Sequence, residues 1–164
     1  MSDARFEDGA EAPLRLMARD AADLRVISAL VQDAVLTGAD LRYVRAQRRF
    51  SLLLNRFRWE DEARARASGR RFERVRAVLD FADVTAVATQ DIARDADTVL
   101  SLLSIDYTPD VQTPEGEPAG PGRVVLTFAG DGALALSVEC LEVALADVTR
   151  PYVAPSHHAP QHRD

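Results

Sequence analysis

Twelve arginines lie between Arg42 and Arg76, against only Glu60, Asp61, Glu62 and Glu73. That stretch carries +8 within a chain of net charge −6, so the remainder carries −14. Such segregation is the chain's most unusual feature. Arg42, Arg45, Arg48, Arg49, Arg56 and Arg58 are interleaved with Tyr43, Phe50, Phe57 and Trp59. A guanidinium is a planar, permanently charged fork that grips a carboxylate or phosphate through two parallel hydrogen bonds, and aromatic faces can stack on bases. The segment therefore reads as a surface for an acidic protein segment or an anionic ligand. The competing reading is a solvated face whose arginines pair with the chain's own acids, as most surface charge runs do. All 20 basic side chains are arginine, so every cation here is of this forked kind.

Asn55 and Arg56 form a second arrangement with chemical reach. An amide that both donates and accepts, next to a fixed fork, could line a pocket at the end of the apolar run before Phe57 and Trp59. An enzyme with an unfamiliar pocket there is the alternative to a binding domain. Against it, Asn55 can satisfy a turn and Arg56 can pair with a nearby acid. Weak RNA binding is a further alternative. The net charge of −6 argues against nucleic acid, because phosphate binding draws on a basic field.

Other chemistry is sparse. His157, His158 and His162 are the only histidines, and they stand among Pro151, Pro155 and Pro160 without a carboxylate or cysteine cluster. Metal ligands need supporting partners, so no metal site is expected. Without a histidine upstream, Ser–His and Cys–His catalysis by any familiar arrangement is excluded. Cys140, the single cysteine, is expected to be a buried small hydrophobe rather than a nucleophile. Glu139 and Glu142 make a carboxylate pair with no partner motif. Gly130-Asp131-Gly132 is too short for a phosphate loop, and no P-loop or dinucleotide fingerprint occurs, so no cofactor is expected. The balance leans away from an enzyme.

The elements that must position these residues follow from periodicity. The 164 residues suit one domain, and 47% hydrophobic content is ordinary for a globular chain. No apolar run nears the ~20 residues that span a bilayer. Met1 to Pro13 is acidic, with Arg5 its one basic residue, and lacks the pattern of a secretory signal, so a cytoplasmic location is expected. Residues 1–13 read as a disordered leader, 14–149 as a single α+β domain and 150–164 as a disordered tail.

Leu14 to Ala18 is a short strand. Asp20 is placed as an N-cap, and Leu24, Ile27, Val31 and Ala34 recur at helical spacing. The expectation is a long amphipathic helix from Ala21 to Leu36 with Gly38 as its C-terminal cap. Residues 41–44 and 50–57 form a hairpin around Ala46-Gln47-Arg48, closed by Trp59. A short exposed helix is expected over Glu60 to Ser68. Phe72 to Val87 reads as a long strand-like stretch, with two strands broken near Asp83 as one version, and Gln90 to Asp97 as a loop. Val99 to Tyr107 reads as a strand with Val99, Leu103, Ile105 and Tyr107 on one face. Residues 109–122, rich in proline and glycine, read as a flexible loop between antiparallel strands. Val124, Leu126 and Phe128, then Asp131-Gly132, then Leu134, Leu136 and Val138 form a strong hairpin signature. Leu141, Leu145 and Val148 suggest a short C-terminal helix, with a strand through Val143 as the competing reading. Consecutive strands with one long helix indicate α+β: a curved antiparallel sheet of about six to seven strands, with a pleckstrin-homology-like roll as one version.

Several segments resemble a bacterial family known mainly from alphaproteobacteria, the domain of unknown function 2948. They are Leu14-Arg15-Leu16 leading into Ala22-Asp23-Leu24, Val31 to Val35, Arg48-Arg49-Phe50 through Leu54-Asn55-Arg56-Phe57 and Trp59, Leu100 to Ile105, and Leu126 to Ala129 through Val138-Glu139-Cys140. The likeness covers most of residues 14–148. It implies one compact domain of a bacterial protein and brings no catalytic residue or cofactor with it. The leading expectation is a non-enzymatic binding or accessory domain. Its partner would be an acidic protein or anionic ligand held by Arg42, Arg45, Arg48, Arg49, Asn55, Arg56, Arg58 and Trp59. The opposed charges also allow a symmetric homodimer.

Overall fold

A computed structural model describes residues 13–61, 66–67, 73–114 and 116–153. Among them are eleven strands and the α-helix Ala21–Leu30, with residues 66–67 also helical. In chain order they are β1 (Arg15–Ala18), α1 (Ala21–Leu30), β2 (Val35–Thr37), β3 (Leu41–Val44), β4 (Arg49–Phe57), β5 (Glu73–Phe81), β6 (Val84–Gln90), β7 (Val99–Pro109), β8 (Gly122–Phe128), β9 (Ala133–Val138), β10 (Val143–Asp147) and β11 (Tyr152–Val153). The strands make one antiparallel sheet of order β1-β10-β5-β4-β2-β7-β8-β9-β6, with β3 beside β4 and β11 beside β5. The α+β class stands, but the strand number exceeds the expected six to seven. Val35–Thr37 and Tyr152–Val153 are too short to show a period. The exposed helix expected over Glu60 to Ser68 and the start of the next strand at Phe72 fall largely outside the described residues.

The helix is shorter than its periodicity suggests. Asp20 caps it as expected, its Oδ1 accepting from the Asp23 amide at 2.8 Å. It ends at Leu30, because Asp33 takes a left-handed conformation (φ 63°) and exchanges backbone hydrogen bonds with β7. The Asp33 amide donates to the Leu102 carbonyl at 2.7 Å, and the Leu102 amide donates to that of Ala34 at 2.9 Å. Val31 and Ala34 are buried as the helical spacing required, but from a turn and a strand entry. Only Leu24 and Ile27 of α1 are buried and Val26 is 54% exposed, so the helix is neither long nor the broadly amphipathic one expected. Gly38 is not a helix cap. A Cβ there would lie 1.9 Å from the Ala93 carbonyl oxygen, so the glycine lets segment 91–98 pass against β2 and β3.

The expected C-terminal helix is also replaced by a strand, the competing reading. Leu141, Val143 and Leu145 are buried at spacing two, and β10 pairs with both β1 and β5. Leu141 and Leu145 satisfy a helical and a strand period alike, and the vacancy between β1 and β5 decides for the strand. On β7 the expected inward face is half inverted. Leu100 and Leu102 are buried while Val99 and Leu103 are 68% and 36% exposed, and a register shift between Leu102 and Ser104 restores Ile105 to the core.

Other elements form where their chemistry points. The break near Asp83 is real, with Asp83 at φ 55° between β5 and β6. β8 and β9 form the expected hairpin, but its turn runs through Gly130 and Asp131, at φ 82° and 71°, one residue before the expected Asp131-Gly132. Alternate residues of β4, β5, β8, β9 and β10, together with Leu24 and Ile27 of α1, share one buried cluster. The inner side of the sheet is thus filled, and α1 lies on it.

Candidate functional site

Arg56 is the largest fully buried side chain, with 0% exposure, and it is not a pocket residue. It lies on the inner side of β4, in line with Phe50, Leu52 and Leu54. Its Nε and Nη2 donate to Asp147 at 3.0 and 2.9 Å. Its Nη1 and Nη2 donate to Glu60 at 2.9 and 2.8 Å, and Nη1 also reaches the Phe57 carbonyl at 3.1 Å. A guanidinium has five N–H donors, and all five are engaged. Asp147 in turn accepts from the Leu14 amide at 3.1 Å, which ties β1 into the same cluster. Burial penalises the charge of Arg56, but the hydrogen bonds and charges of Glu60 and Asp147 outweigh it and hold the guanidinium protonated above its ordinary range. Burial likewise opposes the Glu60 carboxylate, yet Arg56 draws its pKa below the usual value.

The neighbouring residues expected to bind a ligand are committed to the fold as well. The Arg58 guanidinium lies 3.3 Å from Glu73 and 3.6 Å from Asp61. The Trp59 indole donates to the Gln32 carbonyl at 2.9 Å, joining the end of β4 to the turn after α1. Asn55 Nδ2 donates to the Tyr152 hydroxyl at 2.5 Å, and its buried Oδ1 accepts no hydrogen bond. Arg49 pairs with Asp80, whose other oxygen accepts from Ser51 at 2.7 Å.

Arg48 takes the left-handed conformation (φ 55°) at the hairpin corner and pairs with Glu139 at 2.6 Å and Asp83 at 3.5 Å. Cys140 joins this corner. It is half-buried rather than buried, and its Sγ donates to Asp83 Oδ2 at 2.8 Å. That hydrogen bond, with burial and the surrounding carboxylates, pushes the thiol pKa up to about 11. Cys140 is therefore a protonated thiol at neutral pH, the opposite of an activated nucleophile.

Arg42 and Arg45 differ from the other four hairpin arginines. Both are exposed, and neither pairs with a carboxylate among the described residues. Arg45 lies 5.8 Å over the Tyr43 ring. Arg42 faces away from the core, opposite Ser51 on β4. Residues outside the predicted set share that outward side. Arg74 stacks 3.9 Å over Phe57, with its buried Nε unpaired and its pKa lowered by desolvation. Arg76 lies opposite Asn55 and is exposed, as is Arg15 on β1. The alternation along 73–81 could have assigned Arg74 and Arg76 to the outward side. Nothing in the sequence could have placed Arg15 beside them, because β10 intervenes.

A cleft of about 480 Å³ opens between the start of α1 and the 109–119 loop, lined by Asp20, Arg25, Tyr107, Gln112 and Glu117 among others. It lies away from the arginine hairpin and contains neither histidine nor cysteine. Among the described residues no group of histidine, cysteine and carboxylate side chains could hold a metal ion, and no helix is long and apolar enough to cross a membrane.

Fold and side-chain placement together define an α+β domain in which four of the six hairpin arginines pair with its own carboxylates. The chain belongs to the family described as protein of unknown function (DUF2948), whose model matches residues 14–162. Comparison with curated proteins and with solved structures found no match.

Proposed function

We propose that this chain is a non-enzymatic binding domain that engages an acidic protein segment or anionic ligand through the arginines its own carboxylates leave free. One observation carries the reading. Of the six hairpin arginines, Arg42 and Arg45 are exposed without a carboxylate partner among the described residues, while Arg48, Arg49, Arg56 and Arg58 are paired. An exposed, unpaired guanidinium keeps its full capacity for bidentate contact. The pocket alternative at Asn55 and Arg56 loses its basis, since Arg56 has no donor to offer.

Fluorescence anisotropy with a labelled octaglutamate peptide at low salt tests this reading. The Arg42→Glu/Arg45→Glu variant should bind about tenfold more weakly than wild type, and affinity should fall as salt rises. Arg25→Glu, on the exposed side of α1, should bind as wild type does. If the Arg42/Arg45 variant binds the peptide as tightly as wild type, the reading is wrong.

A further inference from the structure

The +8 stretch has a destination in three dimensions. Strand alternation and register place Arg15 and Met17 of β1, Ala144 and Ala146 of β10, Arg74, Arg76, Val78 and Asp80 of β5, Arg49, Ser51 and Leu53 of β4, and Arg42 of β3 on the outward side of one layer. One cross-strand row reads Arg15–Ala146–Val78–Leu53, and the next reads Met17–Ala144–Asp80–Ser51–Arg42. The strand positions on this side thus carry five arginines and a single acid, Asp80, which Arg49 already neutralises. Small and apolar side chains occupy the middle. Met17 is 48% exposed at one border, as is Val148, at 55%, just beyond β10. Helix α1 lies on the opposite, inner side.

We propose that this outward layer is a docking surface for an acidic amphipathic segment of a partner protein. The inference rests on the binding reading above and gives it a surface and a partner chemistry. Sheets bury an apolar stripe against a helix or a second sheet, and this stripe has neither among the described residues. It crosses three strand spacings, roughly 14 Å, which a helix of about ten residues spans. Charge complementarity sets the sign of the partner. Arg15, Arg42, Arg74 and Arg76 surround the stripe in a chain that is otherwise strongly acidic. A second copy of the same face would bring arginine against arginine.

The test uses the full chain and two labelled probes: octaglutamate, and a 14-residue glutamate–leucine peptide with leucines at i, i+3, i+4 and i+7. Arg15→Glu/Arg76→Glu lies across the sheet from the hairpin turn. It should weaken the amphipathic peptide about tenfold. Met17→Ser should weaken the amphipathic peptide and leave octaglutamate unchanged. If Arg15→Glu/Arg76→Glu has no effect while Arg42→Glu/Arg45→Glu abolishes binding, the hairpin reading stands and the docking face is refuted. If neither double variant changes binding, both fall. Co-sedimentation with phosphatidylserine vesicles, lost in Arg15→Glu/Arg76→Glu, without peptide binding would overturn the proposal in favour of a membrane. Residues 1–12 carry Asp3, Glu7, Asp8 and Glu11 against Arg5. A tenfold gain in peptide affinity on deleting them would assign the face to the chain's own acidic segment instead.

Discussion

Replacing Arg56 by methionine removes the cation that joins β4, β10 and the turn after β4. Its two carboxylate partners respond differently, because Asp147 is 5% exposed and Glu60 is 32% exposed at the side chain. Glu60 can rotate into water, whereas Asp147 stays under the sheet with only the Leu14 amide to stabilise it. Breaking one side of a buried ion pair typically costs about 3–5 kcal/mol, because the surviving charge remains desolvated. Total stabilities run to about 5–15 kcal/mol, so this one change removes a large share. Urea unfolding should show the midpoint fall by roughly 1.5–2.5 M at a slope of about 2 kcal/mol/M, with the slope itself unchanged. Arg56→Met/Asp147→Leu should be more stable than Arg56→Met by about 2 kcal/mol, since it removes the orphaned charge with its partner. A cost below about 1 kcal/mol for Arg56→Met, or a double variant less stable than the single one, would refute the account of this cluster. The pH dependence has a fixed sign. The folded pKa of Glu60 lies below its unfolded value of about 4.3, so its contribution is full above that pH and is lost as pH falls through the folded pKa. Arg56→Met should flatten that acid limb.

Two further outcomes follow from the corners of the fold. Cys140, with its thiol pKa near 11, should alkylate with iodoacetamide at pH 8 about a hundredfold more slowly than an ordinary thiol; Asp83→Asn, which keeps a residue tolerant of φ 55°, should accelerate it at least tenfold, and a fast wild-type rate would contradict the Asp83 hydrogen bond. Gly38→Ala should cost about 1–3 kcal/mol in thermal or urea unfolding, because its Cβ meets the Ala93 carbonyl; a neutral result would show that segment 91–98 does not pass there.

What the sequence discloses is uneven, for physical reasons. Local signals survive folding. The Asp20 cap, the β8–β9 hairpin and the 41–57 hairpin depend on residues within a few positions of each other. Signals that tertiary pairing can override do not. Val31 and Ala34 keep their burial while the helix stops at Leu30, because β7 offers Asp33 and Ala34 backbone partners. Leu141 and Leu145 fit two periods, and strand pairing chooses between them. The arginines divide in the same way. Their number and signs are plain in the sequence, but Arg56 meets Asp147 and Arg48 meets Glu139 from 91 positions away. Which arginines are consumed and which stay free is decided only when the end of β10 and the turn after β9 come within reach of the β4 side chains.

The docking face can be read out directly by nuclear magnetic resonance on the isotopically labelled full chain, titrated with the acidic amphipathic peptide. Amide shifts should concentrate on Arg15, Met17, Arg42, Leu53, Arg76, Val78, Ala144 and Ala146, which the register places on one side of the sheet. Shifts centred instead on the cleft by Tyr107 and Gln112, on the Arg48–Cys140 corner, or nowhere at all would contradict it.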